Sequence, residues 1–399
     1  MPYYIGDVIQ DSGKLTARTV EKFRESGVDA RICTRVDGID GEAREVHLAD
    51  GSRVPYDILT LATGTEVLLP GIPGQDLEGV FVLKSLGDAL HIKSYIEQTD
   101  CRKALIVGAG FIGLEVCENL RERGVAVQIV NRGELPAHRW DPQFGREILK
   151  AMTQRGVDFF PRVSILSIEG GSDYRLRLNT DQGPFEGDLI LLALGVKPHV
   201  ALARQMGIAL GDSGAIRVNL SQRTSQANVY AVGDCAESFH RVSRRWVSIP
   251  LGDIANKQGR IAGSVIGGVP RIFPGIVGAQ SFRIFHLEVA ATGLDEREAA
   301  ASGFDPVSAL LWGNASANAM SQPRRLGLKL IADRASSLLL GAQAVGEAGA
   351  VGRINALSAA LWAGLSLDDV YNLDLAYSPP YGGSWDLIHN TARTLLQQL

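Results

Sequence analysis

The chain has 399 residues, a length that at roughly 150 per domain points to two or three domains rather than one small module. Forty basic against 44 acidic residues leave a net charge of −4 and a pI near 6.0, so no electrostatic footprint for nucleic acid is present. The longest uncharged apolar run, Ala104 to Leu114, is shorter than the roughly 18 residues a membrane span needs, and the start MPYYIGDVIQDSGK has no basic stretch followed by an apolar one. Neither a transmembrane helix nor a secretory signal is expected, and the location is cytoplasmic by default. Cys33, Cys101, Cys117 and Cys235 form no C-x-x-C pair and lie at no metal-ligand spacing with the histidines, so they are expected to be reduced and mostly buried, with no metal site. The 45 glycines have no collagen period and imply tight turns or close backbone approach to a ligand.

In chain order, LTARTVEKFRESG closed by Gly27 reads as a helix and DARICTRV as a strand. VHLADGSRVPYDILTLATG then reads as a hairpin about Asp50-Gly51 leading into a buried strand. The segment Pro70 to Gly74 and the polar stretch near Gln98 to Lys103 mark the crossing into a new unit. There a strand from Ala104 to Val107 meets a glycine turn, a helix ending at Gly124 and a strand from Val125 to Val130, which is one βαβ unit. A helix near Phe144 to Gln154, alternating strands around Tyr174 to Asn179 and the run DLILLALG complete an α/β domain with a β insertion. Beyond the strand NVYAVGD and a helix through Asn256 to Val265, Pro270 and Pro274 introduce a last region. It reads as strands at 326–332 and 338–344, then helices at 353–363 and 367–372. The clusters Arg241, Arg244, Arg245 and Arg324, Arg325 read as solvated surface, with contact to a phosphorylated substrate as the alternative.

Gly108, Gly110 and Gly113 form a G-x-G-x-x-G that follows a strand and opens a helix, the context in which the motif becomes a dinucleotide fingerprint. Gly108 permits the turn, Gly110 lets backbone approach a pyrophosphate and Gly113 lets helix pack on strand, with Phe111 and Ile112 in the loop. The helix N-terminus offers unpaired N–H groups to the anion. At the end of the second strand an NAD site would present a carboxylate to the ribose 2′-hydroxyl, whereas this chain has Asn131 and Arg132. A neutral residue beside an arginine accommodates a 2′-phosphate, which favours NADPH over NADH; a solvated Arg132 is the alternative.

Two further strands close on small residues: Tyr56 to Gly64, ending Ala62-Thr63-Gly64, and Asn228 to Asp234, ending Gly233-Asp234. Flanking the fingerprint in this order, and together with Gly195-Val-Lys-Pro198, the run from Pro250 and Leu251 through Asn256 to Arg260, Ala290 to Leu294 and Asp374 to Tyr381, they make the whole sequence resemble the FAD-dependent pyridine nucleotide-disulfide oxidoreductase family. Pro2-Tyr3-Tyr4-Ile5-Gly6 is similar to its coenzyme A-disulfide and persulfide reductase branch. The resemblance implies an α/β fold with two Rossmann-like nucleotide-binding domains, the first incomplete at its N-terminus, and a C-terminal α+β dimerisation domain. The corresponding boundaries are 1–97 with 226–271 for FAD, 98–225 for NAD(P) and 272–399 for the dimer. It implies FAD contacts from Ala62, Thr63, Gly64, Gly233, Asp234, Pro250, Leu251 and Tyr377, the last at a partner subunit's flavin in a homodimer or else a loop anchor. NAD(P) contacts extend to Gly195, and substrate contacts fall to Tyr3, Tyr4 and Asn256. Glu115 resembles the glutamate on the nicotinamide side of the flavin, or is an exposed first-turn carboxylate.

The resemblance carries departures. In relatives a nucleotide-binding βαβ unit and a redox Cys-Gly-Leu precede Pro-Tyr-Tyr, and this sequence begins after both, so the ADP-binding unit and the thiol are expected to be missing. Cys235, nearest the flavin motif, reads as packing rather than redox. Trp385 stands where a basic residue would meet a coenzyme A phosphate. The expectation is an FAD-dependent NAD(P)H oxidoreductase whose intact family reduces a small disulfide or persulfide, with this chain lacking the thiol step. An NAD(P)H oxidase using oxygen, or a reductase of an electron carrier, is the alternative, and a non-catalytic NAD(P)-binding dimer is a second.

Overall fold

The computed structural model describes all of residues 1–399 and resolves them into two compact units. The first comprises Met1–Ser12, Leu69–Gly195 and Val277–Leu399, the second Gly13–Leu68 and Val196–Ile276.

The first unit contains a five-stranded parallel sheet in the order Val80–Phe81, Leu189–Leu192, Lys103–Val107, Ala126–Asn131, Val157–Pro161. Its central strands, Ala104 to Val107 and Leu189 to Leu192, are buried along their whole length. Such strands are covered on both faces, which is why they read as continuous apolar runs rather than alternations. The helix Phe111–Glu122 buries Leu114, Val116, Cys117 and Leu120. The helix Pro142–Gln154 starts on Asp141, whose carboxylate accepts from Gln143 N at 2.8 Å, with proline in the first turn where no N–H is needed. The β insertion is a three-stranded antiparallel sheet over Ile165–Gly170, Leu176–Thr180 and Phe185–Gly187.

The remainder of this unit is a five-stranded antiparallel sheet in the order Gln280–Ile284, Leu287–Gly293, Leu339–Gly346, Arg325–Asp333, Pro306–Asn314, packed against the helices Ala350–Ala363 and Leu387–Leu396. The strands and helices expected at 326–344 and 353–372 are present. Those at 280–293, 306–314 and 387–396 were not anticipated. Residues 272–399 share this compact unit with the nucleotide-binding strands, joined to them by two aromatic pairs and a buried ionic cluster. Trp140 meets Phe282 edge-on at 5.4 Å and Phe144 meets Trp312 at 5.6 Å. Lys329, 6% exposed, sits between the carboxylates of Asp141, at 2.7 Å, and Glu296.

In the second unit the hairpin about Asp50-Gly51 forms between Glu45–Leu48 and Arg53–Pro55, with Gly51 at φ 86°. Leu59–Leu61 and Val229–Ala231 form a two-stranded parallel sheet, and Thr65–Val67 pairs with Val196–Pro198. These pairings draw 196–225 to this unit, whereas the sequence boundaries had placed it with NAD(P) binding. Leu61, Ile208, Ile216, Val229 and Cys235 are among its core. The expected strand at 29–36 is irregular up to Arg35, with Ile32 63% exposed and Cys33 at φ 53°. The expected helix at 15–27 shrinks to Val20–Glu25, capped by Thr19 and with no buried residue. Neither segment has an apolar partner to hold its pattern.

Candidate functional site: a glycine cradle and two glycine-closed strands

In the first unit the chain leaves the buried strand at Val107 and turns at Gly108, whose φ of 104° only glycine adopts freely. A Cβ on Gly108 would lie 2.5 Å from the Ala193 carbonyl oxygen, and one on Gly113 would lie 2.3 Å from the Gly108 carbonyl. Both are therefore fixed by backbone packing. Gly110, the N-cap of Phe111–Glu122, has nothing within 4 Å of its Cβ direction and no side-chain cap, so the first-turn N–H groups face open space. An anion such as pyrophosphate satisfies such groups and the helix dipole together. Phe111 is 43% exposed beside this opening, Ile112 is half-buried, and Gly195 closes the neighbouring strand at φ 103°.

Asn131, expected as a coenzyme contact, has both ends of its amide bonded within the protein. Its Oδ1 accepts from Ala109 N at 3.1 Å, and its Nδ2 donates to Gly133 O at 3.0 Å. The side chain stitches the glycine turn to the loop after the second strand. Arg132 is exposed and its guanidinium has no partner.

The N-terminal helix Pro2–Ile5 lies on the nucleotide helix, with Gly6 so close to Asn119 that a Cβ would collide with its side chain. Tyr4, expected to face substrate, is a core residue at 9% exposure with Lys93 Nζ 4.3 Å from its ring centroid. Tyr3 is half-buried under Arg283, 5.9 Å from the ring centroid. Glu115 is not an exposed first-turn acid: burial pushes its carboxyl up to about 7, and the charge of Glu118 adds to the rise. Burial, followed by the charges of Glu115 and Glu118, also raises the Tyr3 phenol. Glu118 accepts from Arg283 Nε and Phe285 N, both at 2.9 Å. Tyr377 is 56% exposed, and Trp385 stacks on Tyr371 at 5.3 Å.

In the second unit, Gly64 at φ 67° and Gly233 at φ 77° end the two parallel strands. The Thr63 hydroxyl donates to His199 O at 2.6 Å, and Ala62 is exposed. The Gly233-Asp234 turn is held by Gln258, a residue whose role the sequence did not reveal. Fully buried, it accepts from Gly233 N at 2.7 Å and donates to Glu237 O and Ser238 Oγ. The helix Gly252–Ile266 starts on Leu251 without a side-chain cap; Pro250 and Leu251 are half-buried, and Asn256 is exposed with its amide donating to Gly252 O. These turns fit the ribityl side of a flavin. A second glycine-rich turn between strand and helix, which would grip the adenosine diphosphate of FAD, is not among residues 1–399. Cys235 is fully buried with its thiol on the Val232 and Leu61 carbonyls, so packing is its role. Burial pushes the Cys101 and Cys117 thiols up to about 12.

Residues 4–259 match the pyridine nucleotide-disulphide oxidoreductase family and 279–387 match the dimerisation domain of that family. The chain is 35% identical over 394 residues to the NAD(P)H sulfur oxidoreductase (CoA-dependent) of Pyrococcus abyssi, covering 98% of this chain and 88% of the relative. It is 29% identical over 405 residues to an NADH oxidase of Methanocaldococcus jannaschii, covering 100% and 90%. Among solved structures, the NAD-dependent persulfide reductase from A. fulgidus superimposes with a TM-score of 0.94 at 32% identity, over 100% of this chain and 75% of that one. No helix is long and apolar enough to cross a membrane. The chain belongs to the pyridine nucleotide-disulphide oxidoreductase family and is, with it, an FAD-dependent NAD(P)H oxidoreductase.

Proposed function

We propose that this chain draws its reducing equivalents from NADPH in preference to NADH and that its relatives' small sulfur acceptors, persulfide or disulfide, define its substrate class. The single observation that carries the coenzyme reading is the cradle at Gly108, Gly110 and Gly113, followed by an unpartnered Arg132 where an NAD site would place a carboxylate. When bound, FAD supplies the step between a hydride donor and an electron acceptor. The protein's part is to hold the pyrophosphate at the open N-terminus of Phe111–Glu122 and to leave Glu115 only partly ionised near neutral pH. Gln258 fixes the turn at Gly233 and Asp234 against which the flavin's polar chain would lie.

Within residues 1–399 no cysteine supports a thiol relay. Three are buried, two of these with raised pKa values, and Cys33 lies on the exposed irregular segment. A thiolate, not a thiol, is the nucleophile in disulfide exchange. A second reading, oxygen as the acceptor, has its parallel in the relative named as an NADH oxidase. We further propose a cytoplasmic homodimer built through residues 272–399, supported by the free state of all four cysteines and by the exposed aromatics Trp362, Tyr377, Tyr381 and Trp385.

The test is NADPH and NADH oxidation by purified 399-residue protein supplied with FAD, in air and then anaerobically with coenzyme A disulfide or persulfide. NADPH turnover in air that is lost anaerobically supports the oxygen reading. Rapid anaerobic turnover of the disulfide would overturn the absence of a thiol step, and equal use of both coenzymes would overturn the preference for NADPH.

A further inference from the structure

We propose that Arg162 is a second specificity-determining arginine, forming with Arg132 a two-pronged clamp for the 2′-phosphate of an adenine dinucleotide. The proposal rests on the NADPH reading above and deepens it. Asn131 and Pro161 are paired residues at the carboxyl ends of adjacent parallel strands, so Arg132 and Arg162 leave the sheet side by side. Strands pair about 4.8 Å apart, well within reach of two arginine side chains for one phosphate.

The loop that carries Arg162 is tied to the loop that carries Arg132. Gly133 O accepts both from Asn131 Nδ2 at 3.0 Å and from Arg162 N at 3.4 Å, and Val163 N donates to Asn131 O at 3.1 Å. On the far side, Gln182 Nε2 donates to Arg162 O at 2.8 Å. Arg162 is thereby held at φ 59°, a left-handed conformation that a long side chain rarely occupies. Such conformations persist only where their surroundings determine them.

Both arginines are exposed and neither guanidinium has a hydrogen-bond or ion-pair partner, and Glu134, two residues after Arg132, is exposed and paired with neither. Two unpartnered cations on adjoining loops repel until an anion separates them. A phosphomonoester carries between one and two negative charges at neutral pH and three acceptor oxygens, more than one guanidinium satisfies. The anion in question is not the pyrophosphate, whose place is the helix opening at Gly110, one strand away. The pair stands instead just past Asn131, the position from which a carboxylate would read the ribose 2′-hydroxyl.

The experiment is calorimetric titration of the full chain with NADPH, NADH and adenosine 2′-phosphate, for the wild type, Arg132→Ala and Arg162→Asn. Asparagine tolerates a left-handed backbone, so this variant removes the charge without straining the loop. Arg162→Asn is expected to raise the Kd for NADPH and for adenosine 2′-phosphate on the order of tenfold while leaving that for NADH within about twofold. An unchanged NADPH Kd, or equal weakening of NADPH and NADH, overturns the clamp. A wild type that binds the two coenzymes equally refutes the NADPH reading and the clamp with it. A wild-type preference lost in Arg132→Ala but kept in Arg162→Asn refutes the clamp alone.

Discussion

Replacing Lys329 by methionine should destabilise the first unit more than any surface change, and in a pH-dependent way. The ammonium is buried, with one carboxylate from the N-cap of Pro142–Gln154 and one from Glu296, whose own Oε1 also accepts from the Ser308 hydroxyl. Burial lowers the lysine's pKa, but the bonds to Asp141 and Glu296 outweigh it and hold the group above its ordinary value. Burial raises Glu296, and the bonds from Lys329 and Ser308 outweigh that and hold it below. The lysine's contribution is therefore complete below pH 10.5 and is lost as pH rises through its folded pKa. That of Glu296 is present above pH 4.5 and is lost as pH falls through its folded pKa. Between these limits the wild type should be insensitive to this cluster.

In Lys329→Met the cation goes and two partly buried carboxylates are left facing each other, a loss of about 3–5 kcal/mol for breaking a buried pair. At ~2–4 °C per kcal/mol for a unit of this size, 3 kcal/mol lowers Tm by ~6–12 °C at pH 7.5. Glu296 then loses the bonds from Lys329 that held it down and keeps the burial that raises it, so protonation favours the folded state and the deficit should shrink at pH 5. Thermal unfolding followed by tryptophan emission suits the question, since Trp140 adjoins Asp141 and is buried. A deficit below about 1 kcal/mol, or one equal at pH 5 and 7.5, would refute the reasoning.

Gly108→Ala places a methyl group 2.5 Å from a backbone oxygen at a left-handed position, and should weaken NADPH binding at least about tenfold by calorimetry. Glu115→Gln removes a carboxyl whose pKa is raised to about 7, so ionising it costs stability as pH climbs from 4.5 through 7. The variant should melt higher than wild type at pH 8, with a much smaller difference at pH 5; a pH-independent difference would count against burial as the cause. Sedimentation at micromolar concentration should give a dimer, and Tyr381→Asp with Trp385→Asp should shift it towards monomer. An unaltered dimer would place the interface elsewhere.

Legibility in the sequence followed the range of the contacts. The glycine cradle could be read because its strand, turn and helix are contiguous and each residue answers a local need. The buried runs could be read because fully covered strands are apolar throughout. The stretch at 29–36 misled because Ile32 and Val36 alternate like a strand, yet strand propensity expresses packing against neighbours, and Ile32 has none. The bonds that Asn131 makes within the protein were not legible. The bond from Ala109 N spans 22 positions and exists only once the sheet has brought the two strand ends together. Lys329 and Asp141 lie 188 positions apart, and neither carries a local signal of the other. Gln258 stood inside a recognised run without a role, because the turn it supports is 25 residues away.

The parallel pair Leu59–Leu61 and Val229–Ala231 has a consequence for how the molecule breathes. The peptide groups of Leu59 and Leu61 are engaged with the neighbouring strand. Those of Ile58, Thr60 and Ala62 alternate to the other edge, and all three residues are exposed. With only two short strands to open, this sheet lies at the low end of local unfolding free energies, whereas the buried strands at 104–107 and 189–192 lie at the high end. Amide hydrogens should accordingly exchange first around Ile58 to Ala62 and last around Ala104 to Val107. The unit that carries the Gly64 and Gly233 turns thus keeps a strand edge open to pairing with another strand.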